Sequence, residues 1–522
     1  MSQSTKNQKG VIAAGHPETV KAAERILRDG GNAFDAAVAA QLTAFVAEPV
    51  LTSLGGGGFL MAETGSGSQT FYDFFVQTPV HKKEPSKLSF YPISADFGEA
   101  KQEYHIGPGS VAAPGMVKGL FEIHRDLCTL PIKVLAEPAI QLARSGVIMN
   151  SFQSGVFDII SSIYRLSPEA AHIFRSSHTE GDLVREGETL MQPELADFLE
   201  QLVIEGDKFF YEGEIASTVS QISNEKGGHL AEEDFRRYRV KKRKPLKIDF
   251  RGQKISINPP PCSGGMLIGF GLKLMEKLMK APLQFGSAAY IDLLARVQEA
   301  TDKARLDAFT GSSADESDLN LLNPDDLLRY AAEVRGRLTA FRGTTQISIA
   351  DSEGNLASMT SSNGEGSGVM IPGTGVMLNN MLGEQDLNPG GFHNWKRNER
   401  VTSMMAPGIL TMRDNTKVAF GSGGSNRIRT AILQLLINIV DFEMTLDEAV
   451  NAPRVHFEED ELNLEGGFDQ AEIERVKERY SNHKIWKSRN LYFGGAHAVS
   501  SGPGGFTGSG DERRGGVARV VW

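Results

Sequence analysis

Residues 342–348 read RGTTQIS, and the fold turns on why two threonines stand directly behind a glycine at the head of a strand-like run. A threonine hydroxyl is a weak nucleophile until a base takes its proton, and no histidine or lysine stands beside these two in the sequence. Were the Gly343–Thr344 bond cut, the new α-amine of Thr344 would itself be that base. Downstream the pattern is a hairpin. Thr345, Ile347 and Ile349 alternate with Thr344, Gln346, Ser348 and Ala350, DSEGN (351–355) supplies the turn, and LASMTSS (356–362) returns. A turn centred on Glu353 brings Ser362 opposite Thr344, to within one position, so a second hydroxyl accompanies the first.

Helices and strands mix through the rest of the chain, with no internal repeat and no low-complexity linker. HPETVKAAERILRDGGN (16–32) has apolar residues at Val20, Ala23, Ile26 and Leu27 and stops at Gly30-Gly31, residues that accept a left-handed helix end. A helix over 33–47 follows, and LGGGGFLMAET (54–64) turns into a strand. Further helices are read at 131–146 and at 323–338, the latter with Asn323 as cap, Pro324 at its first position and two acids in its first turn. The acidic stretch 312–326 reads as a surface excursion beside the threonines. After residue 408 a hairpin turns at Asp414-Asn415, a glycine-rich corner follows, and a helix carries Ile428, Ile432, Leu435, Leu436 and Ile439 on one face. Backbone N–H groups at that corner, Gly423 to Asn426, open a helix where negative charge is favoured, which makes them natural oxyanion donors.

Composition narrows the partners. Length alone would allow about three domains, and 522 residues with 40% hydrophobic content can bury a large core. A net charge of -10 argues against nucleic acid or an anionic membrane and for a small-molecule ligand. Two cysteines, Cys128 and Cys262, and a start without an apolar signal-type core lead us to expect a cytoplasmic protein without structural disulfides. The apolar helix 33–47 spans about 22 Å and carries Asp35 and Gln41, so it reads as a buried core helix and not a membrane span. GGGG (55–58) is not a phosphate cradle, because no Gly-Lys pair exists and a strand follows it; close backbone packing is the better account. The absence of His-Glu-x-x-His, Cys-x-x-Cys and Gly-x-Ser-x-Gly leaves zinc-protease and serine-hydrolase chemistry without a foothold, and no metal or cofactor is expected. Cys262 and His456 read as packing residues.

Many ordered blocks resemble the γ-glutamyltranspeptidases, a family of N-terminal-nucleophile hydrolases, over almost the whole chain. DGGNAFDAAVAA (29–40), SLGGGGFLMAET (53–64), VAAPGMVKGLFEIH (111–124), PAIQLARSGVIMN (138–150) and INPPPCSGG (257–265) are similar to its first half. TTQIS, GVMLNN, TSMMAP, GSGGSNRI and NAPRVHF then follow in family order. The resemblance implies an α+β four-layer αββα sandwich made as a precursor. The precursor would cut itself between Gly343 and Thr344, giving a large subunit of 1–343 and a small one of 344–522 that together build one domain. It further implies that Thr344 is the nucleophile, that Ser362 supports its hydroxyl, and that Gly424 with Ser425, or Gly423 with Gly424, forms the oxyanion hole. Thr402 and Ser403 fall on the pair that holds the substrate carboxylate, and Asn363 matches a nearby asparagine. A dimer of such heterodimers is a further possibility within the family pattern.

The departures bear on the substrate. Gln346 replaces the family's histidine. Phe75, in DFFVQTP (73–79), replaces the arginine that clamps the substrate α-carboxylate, so either another arginine substitutes or the acyl group lacks that carboxylate. In NNMLGEQDLNP (379–389) the acidic pair is altered, leaving Glu384 or Asp386 to meet an α-amine. Only residues 381–402 separate Asn380 from Ser403, short for the family, so the lid loop is expected to be reduced or missing and the pocket open to bulkier amides. The expected activity is an autoprocessing γ-glutamyl amidohydrolase with water or an amino acid as acceptor. The alternatives are a glutaryl- or cephalosporin-type acylase, and a processing-defective binding protein.

Overall fold

The computed structural model describes residues 8–96, 101–310, 343–388 and 390–522. The helix read at 323–338 and the excursion 312–326 lie outside the described residues. Two antiparallel sheets stack face to face. The first runs, in spatial order, Val517–Val521, Gly10–Ala14, Thr345–Asp351, Leu356–Ser362, Gly57–Glu63, Gln69–Phe74 and Lys241–Arg243. The second runs Gly505–Ser509, Gly495–Gly502, Lys417–Gly423, Gly408–Thr411, Gln253–Ile257 and Leu246–Phe250. Helices Pro17–Arg28 and Ala33–Ala47 cover the outer face of the first sheet, and Ser263–Leu278 and Arg427–Val440 cover the second. This is the αββα sandwich that the family resemblance implies, and strands from both sides of residue 343 contribute to each sheet.

The alternation in TTQISIA decides which side chain enters which layer. Ile347 and Ile349 join the apolar cluster beneath helix Ala33–Ala47. Gln346 and Ser348 face the second sheet, where Gln346 Nε2 donates to Ser348 Oγ (2.9 Å) and Ser358 Oγ (3.0 Å), and Ser348 Oγ donates to His497 O (2.9 Å). Gln346 is thus satisfied within the first sheet, as a buried amide requires, and Ser348 supplies the tie to the second. Thr345 pairs with Ser361, as the turn count places it, so Thr344 stands one step before the strand and level with Ser362.

Helix Ala33–Ala47 is buried along its whole length and is started by a reciprocal cap between Asn32 and Asp35; no helix among the described residues is long and apolar enough to cross a membrane. The helix Arg427–Val440 differs from its one-sided sequence reading, since every residue from Arg427 to Ile439 is buried. Its polar positions find partners inside: Gln434 Nε2 donates to Val455 O (2.9 Å), and Arg429 pairs with Asp302. The four glycines 55–58 are a close-packing device. A methyl group on Gly56 would lie 2.3 Å from Ser362 O, and one on Gly55 2.3 Å from Met377 O.

Candidate active site

Thr344 sits where the leading edge of its strand meets the corner that ends Lys417–Gly423. A narrow cleft opens there. Its apolar walls are Phe75, Met381, Leu387, Met404, Met405 and Ile428, and its hydroxyls are Thr344, Ser362, Ser403 and Ser425. Ser362 Oγ donates to the Gly343 carbonyl at 2.6 Å and accepts from Gly364 N at 3.0 Å, so the carbonyl before Thr344 is held by an oriented donor. The corner is tight: a methyl group on Gly423 would fall 2.3 Å from Thr344 O. Gly424 (φ 122°) and Ser425 (φ 58°) are both left-handed, a conformation that costs a non-glycine residue energy and is concentrated at functional sites. Ser425 Oγ donates to Asp386 Oδ2 (3.2 Å), and Arg305 pairs with Asp386 Oδ1 at 3.7 Å, which pins the strained turn from outside.

The residues read as substrate-binding divide. Ser403 and Phe75 line the cleft, whereas Thr402 Oγ1 donates to Pro261 O (3.0 Å) on the other side of the same strand-like segment. Consecutive residues of an extended chain face opposite ways, so the pair cannot both point inward. Asn363 is buried and its amide donates to Met377 O (3.3 Å). Asp386 is held between Ser425 and Arg305, and Glu384 is buried against Gly364. Phe75 packs on Phe59 with ring centroids 5.2 Å apart. The arginine beside it is Arg400, which pairs with Asp73 (3.1 Å), donates to Tyr238 OH (2.6 Å) and to the Phe75 carbonyl, and lies over the Tyr238 ring. Asp73 also holds Arg243 at 3.0 Å, so both guanidiniums are structural ties. Cys262 is buried and burial pushes its thiol well up, which fits a packing role. His456 is enclosed between Thr430 and Glu458.

Three groups around Thr344 escaped the sequence reading. Arg514 Nη1 donates to Thr344 O (3.3 Å) from a turn near the chain end, and burial pushes its guanidinium down to about 10. Glu365 Oε1 accepts from Gly343 N at 2.8 Å. Glu48, the last residue capping helix Ala33–Ala47, accepts from Thr345 Oγ1 (2.6 Å) and Thr19 Oγ1 (3.0 Å). Burial raises the Glu48 carboxyl to about 7, against the pull of those hydroxyls and of the Arg514 charge. A carboxyl with a raised folded pKa is unpenalised below its unfolded value of about 4.5, and its cost grows to completion above about pH 7. Glutamine, like the neutral acid, has a carbonyl acceptor on one arm and a donor on the other, and a threonine hydroxyl can rotate to accept from that donor. Glu48→Gln is therefore expected to match the parent in stability near pH 4 and to exceed it at pH 8, by up to about 3 kcal/mol; calorimetry showing an equal gap at both pH values would contradict this.

Comparison with known proteins agrees with the geometry. The family model for gamma-glutamyltranspeptidase matches residues 19–521. The glutathione hydrolase proenzyme of Escherichia coli strain K12 is 30% identical over 499 residues, covering 88% of this chain and 83% of its own. The acylase ACY 1 proenzyme of Pseudomonas sp. strain SE83 is 30% identical over 517 residues, covering 95% and 90%. In three dimensions the chain is similar to a cephalosporin acylase from Bacillus halodurans, with a TM-score of 0.84 at 22% identity over 99% of this chain and 96% of that one, a likeness of fold. With the sandwich, the threonine at the head of its inner strand and a family match that runs nearly end to end, this chain belongs to the gamma-glutamyltranspeptidase family.

Proposed function

We propose that the protein is a precursor that cuts its own Gly343–Thr344 bond and then works as an N-terminal threonine amidohydrolase. The observation that carries this reading is the grip of Ser362 Oγ on the Gly343 carbonyl, 2.6 Å away, directly before a buried threonine at a cleft. Attack by Thr344 Oγ on that carbonyl carbon closes a five-membered ring. Its oxyanion lies at the Ser362 donor. The C–N bond then breaks, the hydroxyl proton ends on the departing nitrogen, and an ester joins Gly343 to Thr344 Oγ. Water hydrolyses the ester, leaving a Gly343 carboxylate and a Thr344 with free hydroxyl and α-amine. In the mature form the amine takes the hydroxyl proton as Oγ attacks a substrate amide and passes it to the leaving amine. Backbone N–H groups of Gly424 and Ser425 are assigned to the substrate oxyanion, and water or an amino acid releases the acyl group.

The cleft chemistry favours an acyl group without an α-amino acid head. None of the described lining residues carries a charge, and Arg400 is committed to Asp73 and Tyr238. Glutaryl and γ-glutamyl groups both carry a terminal carboxylate, and only γ-glutamyl adds an ammonium, whose desolvation there without a partner is the cost that separates them. A second reading, a γ-glutamyl acyl group, is favoured by the likeness to the Escherichia coli glutathione hydrolase proenzyme. Intact mass spectrometry is expected to find two fragments meeting at Gly343/Thr344. Glutaryl and γ-glutamyl amides of one aromatic amine are then compared, with kcat/KM at least about 10-fold higher expected for glutaryl. A γ-glutamyl preference would favour the second reading, and an uncut chain inert toward both would remove the proposal.

A further inference from the structure

We infer that Glu365 is the positioning residue of the self-cleavage step, an inference that rests on the processing reading above. Gly343 is held from two sides: its carbonyl by Ser362 Oγ and its N–H by Glu365 Oε1 at 2.8 Å. The next carbonyl, Thr344 O, is held by Arg514 Nη1 at 3.3 Å. Glu365 and Arg514 attract each other, since the carboxylate counters the effect of burial on the guanidinium. A carboxylate and a guanidinium therefore grasp the peptide units on either side of the Gly343–Thr344 bond, and the pair restrains rotation of the carbonyl that must meet the hydroxyl.

Glu365 is itself placed by the surrounding chain. It is buried, at 1% exposure, and its own N–H donates to Asn380 Oδ1 at 3.0 Å. Gly364 (φ 65°) and Gly366 (φ 90°) flank it, and these left-handed residues fold the segment after Ser362 back toward Gly343. Asn380 comes from the GVMLNN block, so that block acts on the cut through Glu365. Positioning matters here because a bond held in a near-attack geometry reacts far faster than one that samples it. The group also suits a one-way reaction. Before the cut Glu365 accepts from a neutral peptide N–H. Afterwards the new Gly343 carboxylate faces a like charge, which disfavours religation.

The test follows the full chain made by brief cell-free translation, with cutting timed on denaturing gels and melting temperature measured on purified protein. Glu365→Ala is expected to slow cutting about 10- to 100-fold, the loss of one charge-assisted hydrogen bond to the reacting unit. Glu365→Gln keeps an acceptor oxygen at the same reach and is expected to stay within about 5-fold of the parent. Glu365→Asp withdraws the oxygen by one methylene and is expected to be slow despite keeping its charge, so it carries the comparison should the alanine variant not fold. Wild-type rates in Glu365→Ala or Glu365→Asp would overturn the inference. So would a glutamine variant as slow as alanine, because charge rather than acceptance of the Gly343 N–H would then be the operative feature. A parent chain that stays uncut alongside Thr344→Ala would remove the processing reading itself, an outcome distinct from these.

Discussion

Thr344→Ala is expected to remain a single 56.7 kDa chain and to lose amide hydrolysis by about 10⁴-fold or more. The methyl group removes the attacking oxygen of both reactions at once: the cut that frees the α-amine, and the acyl transfer that uses it. Binding should survive, because the cleft walls at Phe75, Met404 and Ile428 are untouched. Thr344→Ser keeps the hydroxyl, so it should still be cut at the same bond. Intact mass at increasing times, with turnover of the best amide in the same samples, reads both effects. Cleavage of the alanine variant between Gly343 and Thr344 would mean that another group attacks the bond. Retained turnover in an uncut chain would mean that the α-amine is not the base.

Asp511→Ala should cost the fold about 3–5 kcal/mol. Asp511 is fully buried and receives Arg454 Nη2 (2.5 Å), Arg513 Nη1 (3.1 Å) and the Ala496 N–H (2.8 Å). Burial alone would raise its carboxyl; Arg454, Arg513 and the backbone donor overcome that and hold it well below the usual carboxylate range. Removal leaves two guanidiniums facing each other with Glu465 as the remaining nearby acid, paired to Arg513 at 2.5 Å. The sign of the pH dependence follows from the depressed pKa: the contribution is present above the unfolded value of about 3.9 and is lost as pH falls through the lower folded value. The gap between parent and variant in urea melts should therefore be full at pH 7 and narrow below about pH 4. Because Arg514 follows in the same turn and reaches Thr344 O, the variant should also cut more slowly. A loss under about 1 kcal/mol would show that Glu465 alone neutralises both arginines.

Much of the inner hairpin is legible in the sequence. Ser362 is placed opposite Thr344 by counting back from the Asp351–Asn355 turn, and the observed pairing of Thr345 with Ser361 agrees. The corner at Gly423 to Asn426 is visible in GSGGSNRI as a glycine-rich turn into a helix, whereas the left-handed backbone of Ser425 is not. Legibility fails where direction matters. Thr402 and Ser403 are adjacent letters, yet one reaches Pro261 O and the other lines the cleft. Arg427–Val440 shows an apolar face in its sequence, yet it is covered all round, since its polar residues meet partners such as Val455 and Asp302 from distant segments.

The sandwich and the candidacy of Thr344 came from the resemblance of ordered sequence blocks to a known family, and the two-residue alternation that sends Ile347 one way and Gln346 the other came from local pattern. Periodicity, turn chemistry and capping act between neighbours a few positions apart, so they survive in a string of letters. Only the packing of the two sheets brings Arg514 across 170 residues to the Thr344 carbonyl, sets Glu48 behind Thr345, and folds Glu365 onto the Gly343 N–H. Those contacts depend on how layers stack and on which charges find partners once water is excluded. That balance of desolvation against pairing is decided by the whole fold and leaves no local mark on the sequence.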